Sequence, residues 1–467
     1  MEEIVYASAT KLAEAIRARR ISSSEVVSTH LRSIERVNPK LNAVVQLAAD
    51  AAMARAKKAD EALSRGETWG PLHGVPVTIK DGWETEGIIS TGGTAGRASF
   101  IPAKDATIVA RMRSAGAIIM GKTNVPELSL TNETDNAVYG RTNNPYDFSR
   151  TPGGSGGGEA AIIAAGGSPL DIGCDAGGSI RLPSHFCGIA GIKPTTGLVP
   201  MTGYFPLPTG VRAQLTAAGP MARAVEDLVL TLPLIMGVDW RDPVVVPRLF
   251  DDPSRVDLRT VHAAFYVDNG IIPPTAETAT VVRKAASVLE NEGMAVEEAR
   301  PPGLQESSEL FSSLMGADSG AEVDAALQLA GTREMSPWLK RRREALTGRG
   351  VSGSDFSRLL SRLDAFRGSM LSFLEHYHAI ICPVNASPAL PHHTSYDGDN
   401  IHRFSYAQAY NLTGWPCAVV RGGTSSEGLP IGVQVVARPW GESIVLALAA
   451  RLEALLGGWR PPNTGIF

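Results

Sequence analysis

The stretch from Arg150 to Pro194, RTPGGSGGGEAAIIAAGGSPLDIGCDAGGSIRLPSHFCGIAGIKP, constrains the fold more than any other part of the chain. Ser155 sits among Gly153, Gly154, Gly156, Gly157 and Gly158, and Ser179 follows Gly177 and Gly178. Glycine allows positive φ and close approach of a neighbouring backbone, so both serines are set in tight turns. Between them lie the apolar runs AAIIAA and PLDIGC. Such runs can be buried, whereas a flexible linker is polar throughout. The stretch therefore reads as packed core that presents two hydroxyls at its turns.

The rest of the chain supplies the layers around it. Leu12 and Ile16 fit a first amphipathic helix, and Ser22 with Glu25 forms a capping box for a second that carries Val26, Val27, Leu31 and Ile34 and ends at Asn38-Pro39. An alanine-rich helix follows over about 48–63, then a short buried strand from Val75 to Ile79 with Lys80 at its exit. A helix over Thr107–Ala115 and a strand over Ala117–Met120 repeat the alternation, which points to an α/β core. Residues 195–222, rich in Gly, Pro and Thr, read as a loop over a site, followed by an apolar helix near 225–236. The span 241–369 is the most polar, with helical stretches near 276–292, 306–330 and 355–377, and reads as a helical insertion or cap that tunes substrate access. Strands over Ala379–Val384, Cys417–Arg421 and Gly432–Ala437 and a closing helix with Ile444, Leu446, Leu448 and Leu452 return the chain to the core.

Composition narrows the function. A net charge of -4 and a pI near 6.2 give no basic field for nucleic acid, and the run Lys340-Arg341-Arg342-Arg343 reads as a solvated helix face. The four cysteines, Cys174, Cys187, Cys382 and Cys417, lack C-x-x-C spacing and read as buried free thiols of a reducing compartment, with neither disulfide nor metal. The N-terminus shows no apolar signal region, and no run of about eighteen apolar residues could span a membrane. A cytoplasmic protein is expected, and a homodimer is compatible with such a chain.

Two local patterns mislead. Gly116 to Thr123 matches the phosphate-binding pattern G-x-x-x-x-G-K-[ST], but its middle, Ala-Ile-Ile-Met, prefers a strand and Pro126 discourages the helix that must follow. Gly153 to Gly157 matches the nucleophile elbow G-x-S-x-G, with His392, His393 or His402 and Asp397 or Asp399 as partners, which would make Ser155 the nucleophile of an α/β-hydrolase esterase. An elbow follows a strand, however, and Asn144 to Pro152 is a turn-rich loop.

A more extensive pattern resembles the amidase signature family: a glycine-flanked serine, an apolar helix from Glu159, then Asp175-Ala176-Gly177-Gly178-Ser179-Ile180-Arg181-Leu182-Pro183, with the serines 24 positions apart. The resemblance extends to Lys80-Asp81, Gly121 to Asn124, Asn144-Pro145, Gly219 to Arg223, Asn411 to Pro416 and Gly428 to Gln434. Gly156 stands where many members carry another serine. The resemblance implies a single large domain with a mixed central sheet covered by helices on both faces, residues 1–240 and 370–467 forming its core around 241–369. It also implies a Ser-cisSer-Lys triad without cofactor: Ser179 as nucleophile, Ser155 as bridging serine after a cis peptide bond from Gly154, and Lys80 as base. Backbone amides of Ala176, Gly177, Gly178 and Ser179 would form the oxyanion hole, each such donor being worth about 3 kcal/mol. Asp175 and Arg181 would pair as structural residues beside it.

Chemistry sets the conditions for these roles. A lysine base must be neutral, so Lys80 must be buried at a differential desolvation of about 4 kcal/mol. Tyr139, Gly154, Phe205, Trp338 and Phe404 are candidates for substrate contact, which suggests an apolar or aromatic acyl pocket. The implied activity is hydrolysis of a small or aryl amide, with esters and carbamates (urethanes) as further substrates of the same acyl-enzyme. One alternative is the amidase component of a tRNA-dependent amidotransferase. Residues 403–410 lack the acid that such a component uses to hold the amino group of glutamine, which favours the stand-alone enzyme. The other alternative, a non-catalytic binding module, conflicts with retention of Lys80, Ser155 and Ser179.

Overall fold

The computed structural model describes residues 2–465, and alternating apolar side chains organise them around two sheets. The strands are β1 (Val44–Leu47), β2 (Pro76–Lys80), β3 (Ile118–Thr123), β4 (Leu170–Asp175), β5 (Ala190–Lys193), β6 (Ala217–Ala222), β7 (His262–Phe265), β8 (Ala295–Glu298), β9 (Ala379–Pro383), β10 (Cys417–Thr424) and β11 (Pro430–Ala437). The large sheet runs β4-β6-β5-β10-β11-β9-β7-β8, and β1-β3-β2 forms a small one. The large sheet is mixed: β7 runs parallel to β8 and β9, while the other pairs are antiparallel.

Strand β9 shows why helices cover both faces. Ala379 and Ile381 join one core with Leu228, Val282 and Leu446, which come from the helices Val225–Ile235, Ala276–Asn291 and Glu442–Leu456. Ile380 and Cys382 point the other way, into a core with Leu310, Leu363 and Tyr410. Successive side chains of a strand face opposite sides, so a strand apolar at every position must be buried on both. Each fully buried aliphatic side chain stabilises the fold by roughly 1.5–3 kcal/mol. The chain is one α/β domain, and among the described residues no helix is long and apolar enough to cross a membrane.

Several elements depart from the sequence reading. The second helix runs over Ser23–Leu41 with Pro39 inside its last turn, and it stops at Asn42, which is left-handed at φ 50° and donates its N–H to Asn38 O at 2.7 Å. The expected loop at 195–222 ends in β6, which is inserted between β4 and β5. Gly219, Pro220 and the alanines beside them hide that strand from a propensity reading, and tertiary pairing overrides it. Residues 241–369 are also more than a helical insertion, because β7 and β8 extend the large sheet and Ala276–Asn291 packs on it. These short strands are legible only beside β9, whose edge they cover.

The fold brings three loops together. Lys80 closes β2, Ser155 precedes the helix Gly157–Ala164, and Ser179 follows β4. Asp171 on β4 clamps the small sheet to the large one: Oδ1 accepts from Lys80 N at 2.9 Å and Oδ2 from Thr123 Oγ1 at 3.1 Å. The phosphate-binding match at 116–123 is strand β3, as its apolar middle requires. Gly121 is needed there for space, since a Cβ would lie 2.1 Å from Gln46 O on β1. Gly121→Ala should therefore lower the unfolding free energy by about 1–3 kcal/mol in urea titration, and an unchanged midpoint would show that β1 yields freely.

Candidate active site

Lys80 is fully buried, and its Nζ donates to Ser155 Oγ at 2.8 Å. On another side the amine lies 3.4 Å from Glu159 Oε1 of the helix Gly157–Ala164, also fully buried. The Gly154–Ser155 peptide bond is cis. Gly156 N, the next amide, donates to Ser179 O at 3.1 Å, which ties the two serine turns together. Space explains most of the glycine run. A Cβ on Gly154 would lie 2.6 Å from Thr131 O, on Gly156 2.6 Å from Ser179 O and on Gly158 2.4 Å from Asn124 N. Positive φ is used at Gly153 and Gly178, at 86° and 121°.

Burial governs the charges around Lys80. It is the largest influence on the Lys80 amine and favours the neutral form, whereas negative charge on Cys174, Glu159 and Asp171, if all were present, would hold the pKa above its ordinary value. Burial drives Glu159 itself up to about 8, against the attraction of Lys80, and pushes the Cys174 thiol up as well. Near neutral pH the thiol is thus protonated and the Lys80–Glu159 pair holds one proton between its two groups, burial opposing charge on either and Asp171 favouring the ammonium. Both Glu159 oxygens lack a hydrogen-bond partner, which suits a proton shared with the amine.

Ser179 is held by a buried ionic network. Arg181 Nε donates to Asp175 Oδ2 and Arg181 Nη2 to Asp175 Oδ1, both at 3.0 Å, and Arg181 also reaches Ala407 O, Gln434 Oε1 and Asn411 Oδ1. Burial raises the Asp175 carboxyl, but Arg181 and Asn411 overcome it and hold it well below the usual carboxylate range. The same carboxylate shapes the turn, accepting from the N–H groups of Gly178 at 2.7 Å, Ile180 at 3.2 Å and Arg181 at 3.3 Å. Gly178 therefore departs from the expected oxyanion hole, because its N–H is committed to Asp175. Ala176, Gly177 and Ser179 border open space instead.

That space is a pocket of about 330 Å³ whose lining includes Ala176, Gly177 and Ser179, while Ser155 is buried and does not line it. Trp338 lines the pocket with Phe311 and Met315. The other aromatic candidates do not. Tyr139 accepts from Gln46 Nε2 away from the pocket, Phe205 packs with Leu128 under the Arg97 guanidinium, and Phe404 packs with Leu182 and Phe186. Gly154 is buried against Thr131. Of the basic run, Arg341 and Arg342 line the pocket and Arg343 pairs with Asp324, so this helix face is only partly solvated. Arg212, Arg349 and Glu159 escaped the sequence reading, since no local pattern marks them. Of the histidines offered as partners for Ser155, His402 lines the pocket while His393 pairs with Asp135 at 3.2 Å.

The sequence matches the model of the Amidase family over residues 25–446. It is 31% identical to an acylamidase of Rhodococcus erythropolis, covering 97% of this chain and 96% of that protein. It is also 33% identical to one of the subunits of the glutamyl-tRNA(Gln) amidotransferase of Alkaliphilus metalliredigens, covering 94% of each. Among solved structures, 6-aminohexanoate cyclic dimer hydrolase in complex with its substrate superimposes with a TM-score of 0.88 at 27% identity, covering 98% of this chain and 99% of that one.

Replacing Arg181 by Met leaves Asp175 buried without its cation and should cost about 3–5 kcal/mol of stability. Because the folded Asp175 pKa is depressed, the contribution of the pair is fully present above the ordinary carboxylate range and is lost as pH falls below that range through the depressed folded value. Chemical unfolding at neutral and acid pH measures both, and equal stability of the two proteins at neutral pH would refute this account.

Proposed function

Because this chain belongs to the amidase family, we propose that it hydrolyses carboxylic amides through an acyl-enzyme on Ser179, with Ser155 as relay and Lys80 as base. It is an amidohydrolase of C–N bonds, and its substrate is a small-molecule amide. The observation that carries the residue assignment is the 2.8 Å hydrogen bond from buried Lys80 Nζ to Ser155 Oγ, on a turn joined to that of Ser179 through Gly156 N.

In this mechanism neutral Lys80 takes the proton of Ser155, which takes that of Ser179 as its oxygen attacks the carbonyl carbon. The N–H groups of Ala176, Gly177 and Ser179, residues that line the pocket, then receive the developing oxyanion. As the C–N bond breaks, the proton returns along the relay to the departing nitrogen. Water then attacks the ester on Ser179 by the same path. Esters and carbamates share that acyl-enzyme and are expected to be accepted too.

The arrangement favours this reading over the alternatives. Ser155 is only 1% exposed and bound to an amine, so it is poorly placed to attack as an esterase nucleophile, whereas Ser179 borders the pocket. No aspartate or glutamate lines that pocket among the described residues, which leaves the ammonium group of glutamine without a counter-charge.

Ser179→Ala and Lys80→Met should each lower amide turnover by about 10³-fold or more while the protein stays folded, and wild-type turnover by Ser179→Ala would refute the assignment. The rate should rise with pH as the Lys80–Glu159 pair loses its proton, toward the value of about 8 that burial sets for Glu159. Glu159→Gln removes the carboxylate that favours the ammonium, so the alkaline rise should move to lower pH. A profile that stays in place would mean that Glu159 only fills space.

A further inference from the structure

We propose that the pocket selects amides bearing a carboxylate, received by Arg212 and by the arginines at the mouth. The inference rests on the amidase reading and names its substrate class. The chain carries a net charge of -4, yet the pocket beside Ser179 is lined by Arg212, Arg341, Arg342 and Arg349 and by no acid among the described residues. A concave site with one sign of charge and low-dielectric walls concentrates ligands of the opposite sign.

Arg212 carries the inference. It sits on the short helix Gly210–Leu215 and is 7% exposed. Its Nη1 reaches Glu322 Oε1 at 3.5 Å, while its buried Nε has no partner. A buried N–H left unpaired costs about 1–3 kcal/mol, and a carboxylate oxygen is the acceptor that a guanidinium fork fits best. Gln408, also on the pocket wall, has a buried side-chain oxygen without a partner, an acceptor suited to the amide N–H of such a substrate and not to its carboxylate. Arg341 is partly used, reaching Tyr396 O at 3.0 Å and Asp397 at 3.4 Å. Arg342 and Arg349 make no ion pair among the described residues, and Arg349 is exposed at the mouth. Phe311, Met315 and Trp338 supply an apolar wall for a short hydrocarbon spacer. Together these features fit the half-amide of a dicarboxylic acid or an N-acylated amino acid.

The test compares matched substrates with purified protein: glutaric mono-4-nitroanilide against pentanoic 4-nitroanilide, and 4-acetamidobenzoate against 4-methylacetanilide. At low ionic strength kcat/KM for at least one acidic member should exceed that of its neutral match by about tenfold. That ratio should shrink by at least about threefold as salt is raised from roughly 20 to 500 mM, since exposed charges are then screened. Arg212→Gln should bring the ratio close to one, and Arg349→Gln, at an exposed position, should lower it without disturbing the core. Binding of the same compounds to Ser179→Ala, measured by calorimetry, gives the preference independently of turnover. Hydrolysis of neutral and acidic members alike, with equal affinities for Ser179→Ala, would overturn the charge preference and leave the amidase reading intact. Absence of turnover with every amide would instead overturn the amidase reading, with the calorimetric ratio still deciding the preference.

Discussion

The buried ion pair of Asp175 and Arg181 is the interaction on which the site depends. Asp175 ends β4 and binds the three N–H groups that bend the chain around Ser179, while Arg181 spends its other donors on Ala407, Asn411 and Gln434. Asn411 returns the contact by donating Nδ2 to Asp175 Oδ1 at 2.9 Å. One pair of charges thereby connects the serine turn to a helix and a strand more than two hundred residues away. Two unshielded ions in such a place would be prohibitive, and the pair persists because nearly every polar edge finds a partner.

The same economy of charge distinguishes Lys80. Arg181 must stay ionised and is given a carboxylate held in its anionic form. Lys80 faces Glu159, whose carboxyl burial drives up to about 8, so the two groups hold one proton between them in place of a fixed ion pair. Two buried carboxylates thus have opposite protonation tendencies, set by how far a neighbouring cation and hydrogen bonds offset the burial of each. Asp175 accepts many, whereas neither oxygen of Glu159 accepts one that satisfies it. Above this dry layer the pocket is lined by arginine, so the entrance to the site is electropositive.

Much of the architecture could be read from the chain because it follows from periodicity and local sterics. The helices at 9–17, 49–64, 107–114 and 225–235 and the strands at 76–80, 379–383, 417–424 and 430–437 carry strong apolar patterns. Strands β6, β7 and β8 do not, since Pro220 and the short sequences HAAF and AVEE acquire strand character from their neighbours in the sheet. Gly153 to Gly158 announced close packing from sequence, but which backbone each glycine meets depends on segments such as 131–134 that lie elsewhere in the chain.

The sequence by itself determined the two glycine-set serines, the lysine at a strand exit and the α/β class, because each is encoded in residues adjacent along the chain. The tertiary structure alone decided that Ser155 is buried while Ser179 lines the pocket. It also decided that Glu159 meets Lys80, that Gly178 turns its N–H to Asp175, and that Trp338 reaches the cavity while Tyr139, Phe205 and Phe404 pack elsewhere. Burial and pairing are properties of groups brought together from distant segments, and hydrophobic pattern specifies which face of an element is covered without specifying what covers it.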